Sequence, residues 1–85
     1  MPWRVEFATL ALREFKALDR VVQRRIATHI DQLGIDPFTK GTKRLRGATD
    51  EYRIRVGDYR VIYRVDGKRA IVLVLKIGHR REIYR

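Results

Sequence analysis

Residues 51–63, EYRIRVGDYRVIY, decide the fold because their apolar side chains recur at every second position on both sides of a Gly-Asp pair. Alternation with a period of two is typical of a β-strand that buries one face. A Gly-X pair favours a two-residue type II′ turn. Such a turn sets four cross-strand pairs: Val56 with Tyr59, Arg55 with Arg60, Ile54 with Val61 and Tyr52 with Tyr63.

The outward face of this predicted hairpin carries Arg53, Arg55, Arg60 and Arg64. Arg55 directly faces Arg60, and like charges in opposed positions are destabilising. Stability therefore does not explain the arrangement, whereas an anionic ligand does. The alternative is that long arginine side chains extend into water at a cost of only tenths of a kcal/mol.

Two helices are predicted before the hairpin. Apolar residues at helical spacing mark the first helix between residues 8 and 18, and a stripe at every third or fourth position marks the second. The second stripe consists of Val22, Ile26, Ile30 and Leu33. Asp19 is predicted to cap its N-terminus, and Gly34 to end it as a C′ residue. A short strand over residues 3–8 precedes both helices.

Residues 35–50 are predicted to form a long loop, punctuated by Asp36-Pro37, Gly41 and Gly47. Phe38 and Leu45 are expected to attach it to the body. Residues 70–75 are apolar throughout, which predicts a central strand covered on both faces. A two-residue Asp66-Gly67 turn would place Ile71, Leu73 and Leu75 on the arginine face, and a bulged three-residue loop would place Val72 and Val74 there.

The composition excludes several classes of chemistry. The 85 residues make one small domain, and the absence of cysteine rules out disulfides, thiolate catalysis and cysteine metal sites. Serine is also absent, so a serine triad is impossible. The two histidines are too far apart in sequence to indicate a metal motif. The apolar runs are too short to span a membrane, nothing resembles a signal peptide, and we expect a cytoplasmic protein.

The charge is strongly basic and unevenly distributed. The formal net charge is +10, with residues 1–42 contributing +2 and residues 43–85 contributing +8. Of the 20 basic residues, 15 are arginine, whose planar guanidinium matches phosphate oxygens. Nucleic acid is the leading partner class, and a merely solubilising surface is the alternative.

Two segments carry a resemblance to a known family: the hairpin YRIRVGDYRVIY and the ending IGHRREIY at residues 77–84. Together they resemble the RelE/ParE superfamily of bacterial and archaeal toxins, and the RelE branch in particular. The resemblance covers essentially the whole chain. It implies an α+β fold in which two antiparallel helices pack on a small, mainly antiparallel sheet in the order β-α-α-β-β-β.

The resemblance also implies a function: the toxin of a type II toxin–antitoxin module, a ribosome-dependent endoribonuclease that cuts mRNA in the A site without metal or cofactor. A cognate antitoxin that wraps the toxin is the implied protein partner. The family's catalytic positions match Arg53, Arg55, Arg60, Arg80 and Tyr84. The expected RNA-binding side chains are Lys43, Arg44, Arg46, Arg64 and Arg81.

The general base is left open by the sequence. The best-known members have lysines where this chain has Arg53 and Arg55, and arginine is a poor base because its pKa stays above about 12. His79 is the alternative acid or base, since the ordinary pKa of histidine lies near neutrality. Glu51 and Glu82 are weaker candidates. Two other functions stay open: a ParE-like toxin that inhibits DNA gyrase, and an inactive nucleic-acid-binding relative.

Overall fold

The computed structural model describes residues 3–45, 47 and 50–79, which form two helices packed on one face of a five-stranded sheet. The strands are β1 Arg4–Phe7, β2 Thr42–Arg44, β3 Glu51–Val56, β4 Tyr59–Asp66 and β5 Ile71–His79. Their order across the sheet is β1-β5-β4-β3-β2. Only the β1–β5 pair is parallel among them. The predicted α+β class is confirmed, as is a strand at the start of the chain.

The core lies between the sheet and the two helices. Apolar residues from alternate positions of β3, β4 and β5 are buried against the predicted stripe of the second helix. Its largest fully buried side chain is Tyr63. Burial at every second strand position leaves the intervening side chains on the opposite face, which no helix covers.

The helices are α1 Thr9–Ala17 and α2 Arg20–Ile35. Asp19 caps α2 as predicted, because its Oδ1 accepts hydrogen bonds from the backbone N–H groups of Val21 and Val22 at 2.9 and 3.2 Å. The prediction that Gly34 ends the helix is wrong. Gly34 lies buried inside the last turn of α2, and its carbonyl oxygen accepts a 3.2 Å hydrogen bond from the N–H of Trp3.

The segment predicted as one long loop contains the short strand β2, which pairs with β3. Three residues are too few for a periodic pattern, so this strand depends on its partner rather than on its own sequence. The fully buried Pro37 attaches the segment to the body. Phe38 is half-exposed instead of buried.

The predicted β3–β4 hairpin is confirmed, including all four cross-strand pairs. Gly57 has a φ of 60°, as the first central position of a type II′ turn requires. The β4–β5 connection differs from both predictions, because Asp66 pairs with Ile71 and four residues form the turn. In this turn, Oδ1 of Asp66 accepts hydrogen bonds from the backbone N–H groups of Lys68 and Arg69, and Ala70 adopts a φ of 55°.

The four-residue turn still directs Ile71 and Leu73 to the face that the two-residue alternative predicted. Val72 and Val74 are buried in the core, whereas Ile71 and Leu73 pair with residues of the uncovered face. An irregularity in the β4–β5 register follows between Ile62 and Tyr63. It shifts the alternation of β5 by one residue, so that Ile77 is buried instead of Lys76.

Candidate functional site

The sheet face turned away from the helices, here called the open face, brings together most of the predicted site residues that the structure describes. The alternation of β3 and β4 places Arg53, Arg55, Arg60 and Arg64 on it, as predicted. Lys43 of β2 joins them because it pairs with Arg53. The open face then divides into two halves of different charge.

The first half, here called the basic half, consists of Lys43, Arg53, Arg55 and Arg60. Their strand positions surround Ile62, which pairs with Arg53. Within the described residues, no carboxylate lies within 4.0 Å of the charged groups of Lys43, Arg53 or Arg55. Positive charge without an internal counterion raises the local potential and attracts an anionic ligand.

The hairpin turn fixes the position of Arg55. Its Nε donates a 3.2 Å hydrogen bond to the carbonyl oxygen of Gly57. On the helix side of the same turn, a Cβ atom on Gly57 would lie 3.2 Å from the guanidinium Nη2 of Arg25. Arg25 was not predicted as part of the site, and no local sequence signal connects it with a turn more than thirty residues away.

Gly78 lies opposite Arg60 on the neighbouring strand β5. A glycine inside a strand supplies no side chain and often marks a place where a ligand approaches the backbone. Because Gly78 has no side chain, it leaves space beside Arg60 on the open face. Gly78 was not predicted as a site residue.

In the second half, here called the paired half, the charges are neutralised internally. Nη2 of Arg64 lies 2.7 Å from Oε2 of Glu51, and its Nε lies 3.7 Å from Oδ2 of Asp50. The hydrogen bond to Glu51 raises the pKa of Arg64 above its ordinary value. Arg64 thus shares the face with the other arginines but is held by two carboxylates. Its part in RNA binding stays a prediction.

His79 lies on the other side of the sheet. It pairs with Tyr59, whose side chain faces the helices, and the two rings meet edge to face with centroids 5.5 Å apart. The structure therefore does not bring the imidazole to the basic half. Glu51, the other candidate base among the described residues, is engaged with Arg64. The catalytic roles of both remain predictions.

Arg44 also points away from the basic half. Its guanidinium carbon lies 5.7 Å from the ring centroid of Tyr52, and its Nη2 donates a 3.3 Å hydrogen bond to the tyrosine hydroxyl. Tyr52 pairs with the buried Tyr63. Arg44 and Lys43 therefore put cations on both sides of the edge strand β2.

Several predicted site residues lie outside the described residues, so their positions stay predictions. They are Arg46, Arg80, Arg81, Glu82 and Tyr84. Within the described segments, no three His, Asp or Glu side chains are grouped to hold a metal ion. Neither helix there is long and apolar enough to cross a membrane.

Residues 5–84 match the family described as ParE toxin of the type II toxin–antitoxin system parDE. The chain belongs to this family of toxins. Toxin RelG of Mycobacterium tuberculosis is 31% identical over 100% of this chain and 99% of its own length. The mRNA interferase toxin RelE of Escherichia coli K12 is 28% identical over 99% of this chain and 92% of its own length.

Solved structures support the same assignment. The toxin fold in the archaeal RelE–RelB complex from Pyrococcus horikoshii matches with a TM-score of 0.84 at 31% identity, covering 96% of this chain and 99% of that one. The isolated E. coli RelE toxin matches with a TM-score of 0.83 at 25% identity, covering 91% and 83%. The protein is a RelE-like toxin of a type II toxin–antitoxin system.

Proposed function

We propose that this toxin is a ribosome-dependent endoribonuclease that cuts mRNA in the A site and so stops translation. The observation that carries the proposal is the basic half, where Lys43, Arg53 and Arg55 have no carboxylate partner among the described residues and Arg60 lies directly opposite Arg55. The E. coli relative named mRNA interferase supports it. Because ribosomes are its target, the toxin acts in the cytoplasm.

Cleavage proceeds by attack of a ribose 2′-OH on the adjacent phosphorus, with departure of the 5′-oxygen and formation of a 2′,3′-cyclic phosphate. Negative charge accumulates on the non-bridging oxygens as the P–O bond to the nucleophile forms. Preorganised donors aimed at that charge usually supply the largest part of catalysis. We assign this role to Arg60 together with Arg80, and assign binding of the phosphate to Arg53 and Arg55.

Of the steps of cleavage, proton transfer is the one to which the side chains of the basic half contribute least. Arginine stays protonated, because its pKa exceeds about 12, and His79 lies with Tyr59 on the helix side. We propose that the 2′-OH proton leaves to solvent and that electrostatic stabilisation is the toxin's main contribution. Tyr84 is proposed to stack on a base or assist protonation of the leaving oxygen.

The test compares Arg60→Ala with Arg13→Ala, which removes the same charge from the exposed surface of α1 on the opposite side of the sheet. Purified protein is added to ribosomes carrying a defined A-site codon, and primer extension maps the cuts. We expect Arg60→Ala to lower the cleavage rate by about tenfold or more, and Arg13→Ala to leave it near the original rate. Equal activity in the two variants contradicts the proposed role of Arg60.

The match to the ParE family model favours a second candidate function, inhibition of DNA gyrase without RNA cleavage. The two activities differ in their cellular effect. Growth arrest with DNA damage signalling and intact mRNA would support the gyrase function, whereas codon-specific mRNA cuts without DNA damage would support the endoribonuclease.

We also propose that a cognate antitoxin neutralises this toxin. Solved neighbours include toxin–antitoxin complexes, among them RelB–RelE from Methanococcus jannaschii. A net charge of +10 favours an acidic or amphipathic partner segment. Beside the paired half, apolar Leu73 and Ile71 of β5 pair with Arg64 and Asp66, which makes a surface that suits protein contact. Co-purification with the product of the neighbouring gene tests this partner.

A further inference from the structure

Phe38 forms part of an aromatic cluster at the β2 edge of the sheet. Its side chain is 51% exposed, and its ring packs edge-on against Tyr52 with centroids 5.2 Å apart. Tyr52 in turn stacks on the buried Tyr63 at 5.9 Å, and the guanidinium of Arg44 lies over the Tyr52 ring. Phe38, Arg44 and Tyr52 are here called the edge platform.

The backbone beneath the exposed ring is held on both sides. The N–H of Phe38 donates a 3.0 Å hydrogen bond to Oδ1 of Asp36. The carbonyl oxygen of the preceding Pro37 accepts a 2.6 Å hydrogen bond from the buried hydroxyl of Tyr63. Because Pro37 is itself fully buried, the chain presents Phe38 to solvent from a fixed position. Burial of the phenyl group does not account for such a position, since half of it stays in water.

Cations surround the edge platform. Lys40 follows Phe38 by two residues, in a turn where the N–H of Thr42 donates to the carbonyl oxygen of Thr39 at 3.1 Å. Lys40 and Lys43 are exposed, as is Arg44. None of these three makes an ion pair with a carboxylate in the described part of the chain. An exposed aromatic ring among cations that have no carboxylate partner is the combination with which proteins bind single-stranded nucleic acid.

We propose that the edge platform is a stacking subsite for one nucleobase of single-stranded RNA, with Lys40 and Arg44 holding the flanking phosphates. This inference rests on the proposed endoribonuclease function and extends it to a nucleotide outside the basic half. Neighbouring strands lie about 4.8 Å apart, and Lys43 pairs with Arg53 across a single strand spacing. Arg44 and Tyr52 lie on the other side of β2 from Lys43, so an RNA strand that leaves the basic half over the β2 edge meets the edge platform there.

The direct test measures binding of a 2′-O-methyl hexaadenylate with a 5′ fluorescein by fluorescence anisotropy, using the full chain. The 2′-O-methyl groups prevent cleavage. We expect Phe38→Ala to weaken binding by about tenfold, as the loss of one base–aromatic stack does, with an unchanged dependence of affinity on salt. Lys40→Ala should weaken binding and reduce the salt slope by about one.

Val21→Ala is the matched control, because Val21 is another exposed apolar side chain, 67% exposed on α2. It should bind the probe as the original chain does. A second set of probes carries a single abasic nucleotide at each position. Where the missing base is the one that stacks, the original chain should lose about tenfold in affinity and Phe38→Ala should lose nothing further.

Three results overturn the subsite. The first is no measurable binding of the RNA probe by the original chain at low salt, and the second is equal probe affinity in Phe38→Ala and Val21→Ala. The third is a Phe38→Ala variant that binds the probe normally but binds the antitoxin more weakly. The last result assigns the edge platform to a protein partner. Failure of the subsite is separable from failure of the enzyme. If the original chain cuts mRNA on ribosomes and Phe38→Ala binds the probe normally, the subsite alone is rejected. If probe binding depends on Phe38 but no mRNA is cut, the endoribonuclease alone is rejected.

Discussion

Replacing Tyr63 by phenylalanine should change the stability of the toxin in opposite directions at neutral and at alkaline pH. The Tyr63 hydroxyl is buried and donates a 2.6 Å hydrogen bond to the carbonyl oxygen of Pro37. Tyr63→Phe removes the donor and leaves that carbonyl unsatisfied. At pH 8 we expect the variant to be less stable by about 1.5 kcal/mol.

The alkaline effect follows from the pKa of Tyr63, which burial raises from 10.0 to about 12. A raised pKa means that the folded state holds the proton more tightly than the unfolded state. The resulting stabilisation is complete below pH 10 and is lost as the pH rises through about 12. Two pKa units correspond to about 2.7 kcal/mol, and about half of this is lost by pH 11. Phenylalanine has no proton to lose, so the two stability curves should cross near pH 11.

Urea unfolding followed by Trp3 fluorescence at pH 8, 10, 11 and 11.5 measures this crossing. Val65→Ala, on the same strand, controls for destabilisation alone, because it shortens a buried side chain and keeps the Tyr63 hydroxyl. Its deficit relative to the original chain should be the same at every pH. A Tyr63→Phe deficit that also stays constant up to pH 11.5 would refute the inference that this hydroxyl is desolvated.

Three further predictions concern the hairpin turn, the paired half and His79. Gly57→Ala should lower the free energy of unfolding by about 1–2 kcal/mol, because Gly57 has a φ of 60° and an added Cβ would lie 3.2 Å from the guanidinium of Arg25. Thermal unfolding measures the change. Gly67→Ala is the control, because an added Cβ there would have no atom within 4 Å. Glu51→Gln releases Arg64 from its 2.7 Å partner, so the salt slope of RNA binding should steepen by about one while stability falls by only about 0.5 kcal/mol. In single-turnover cleavage the rate should rise steadily with pH, and His79→Gln should leave that profile unchanged; a plateau that disappears in His79→Gln would contradict the placement of the imidazole away from the reaction.

The β3–β4 hairpin was predictable in full because every determinant is local. Period-two alternation sets which side chains are buried, and a glycine able to adopt positive φ sets the turn and hence the register. The Asp19 cap was predictable for the same reason, because its determinants are also local in sequence. Among the candidate site residues, the shared face of Arg53, Arg55 and Arg60 follows from that register alone.

The features that escaped prediction depend on contacts between distant segments. β2 forms because β3 offers an edge to pair with. The Asp66-Gly67 pair gives way to a four-residue turn stabilised by the Asp66 side chain. His79 was predicted as an alternative acid or base from its residue type, but the register of β5 turns its side chain to the opposite face.

The position of β5 in the sheet has a consequence for how the toxin is synthesised. β5 is the last described strand to leave the ribosome, yet it lies between β1 and β4, and α1 packs on it. Arg4 pairs with Ile71, so 66 residues lie between these partners along the chain. Long-range pairing of this kind delays folding until the distant segment is available. A nascent chain therefore carries the arginines of β3 and β4 before it has the sheet that aligns them, and the basic half is completed only after β5 has been synthesised.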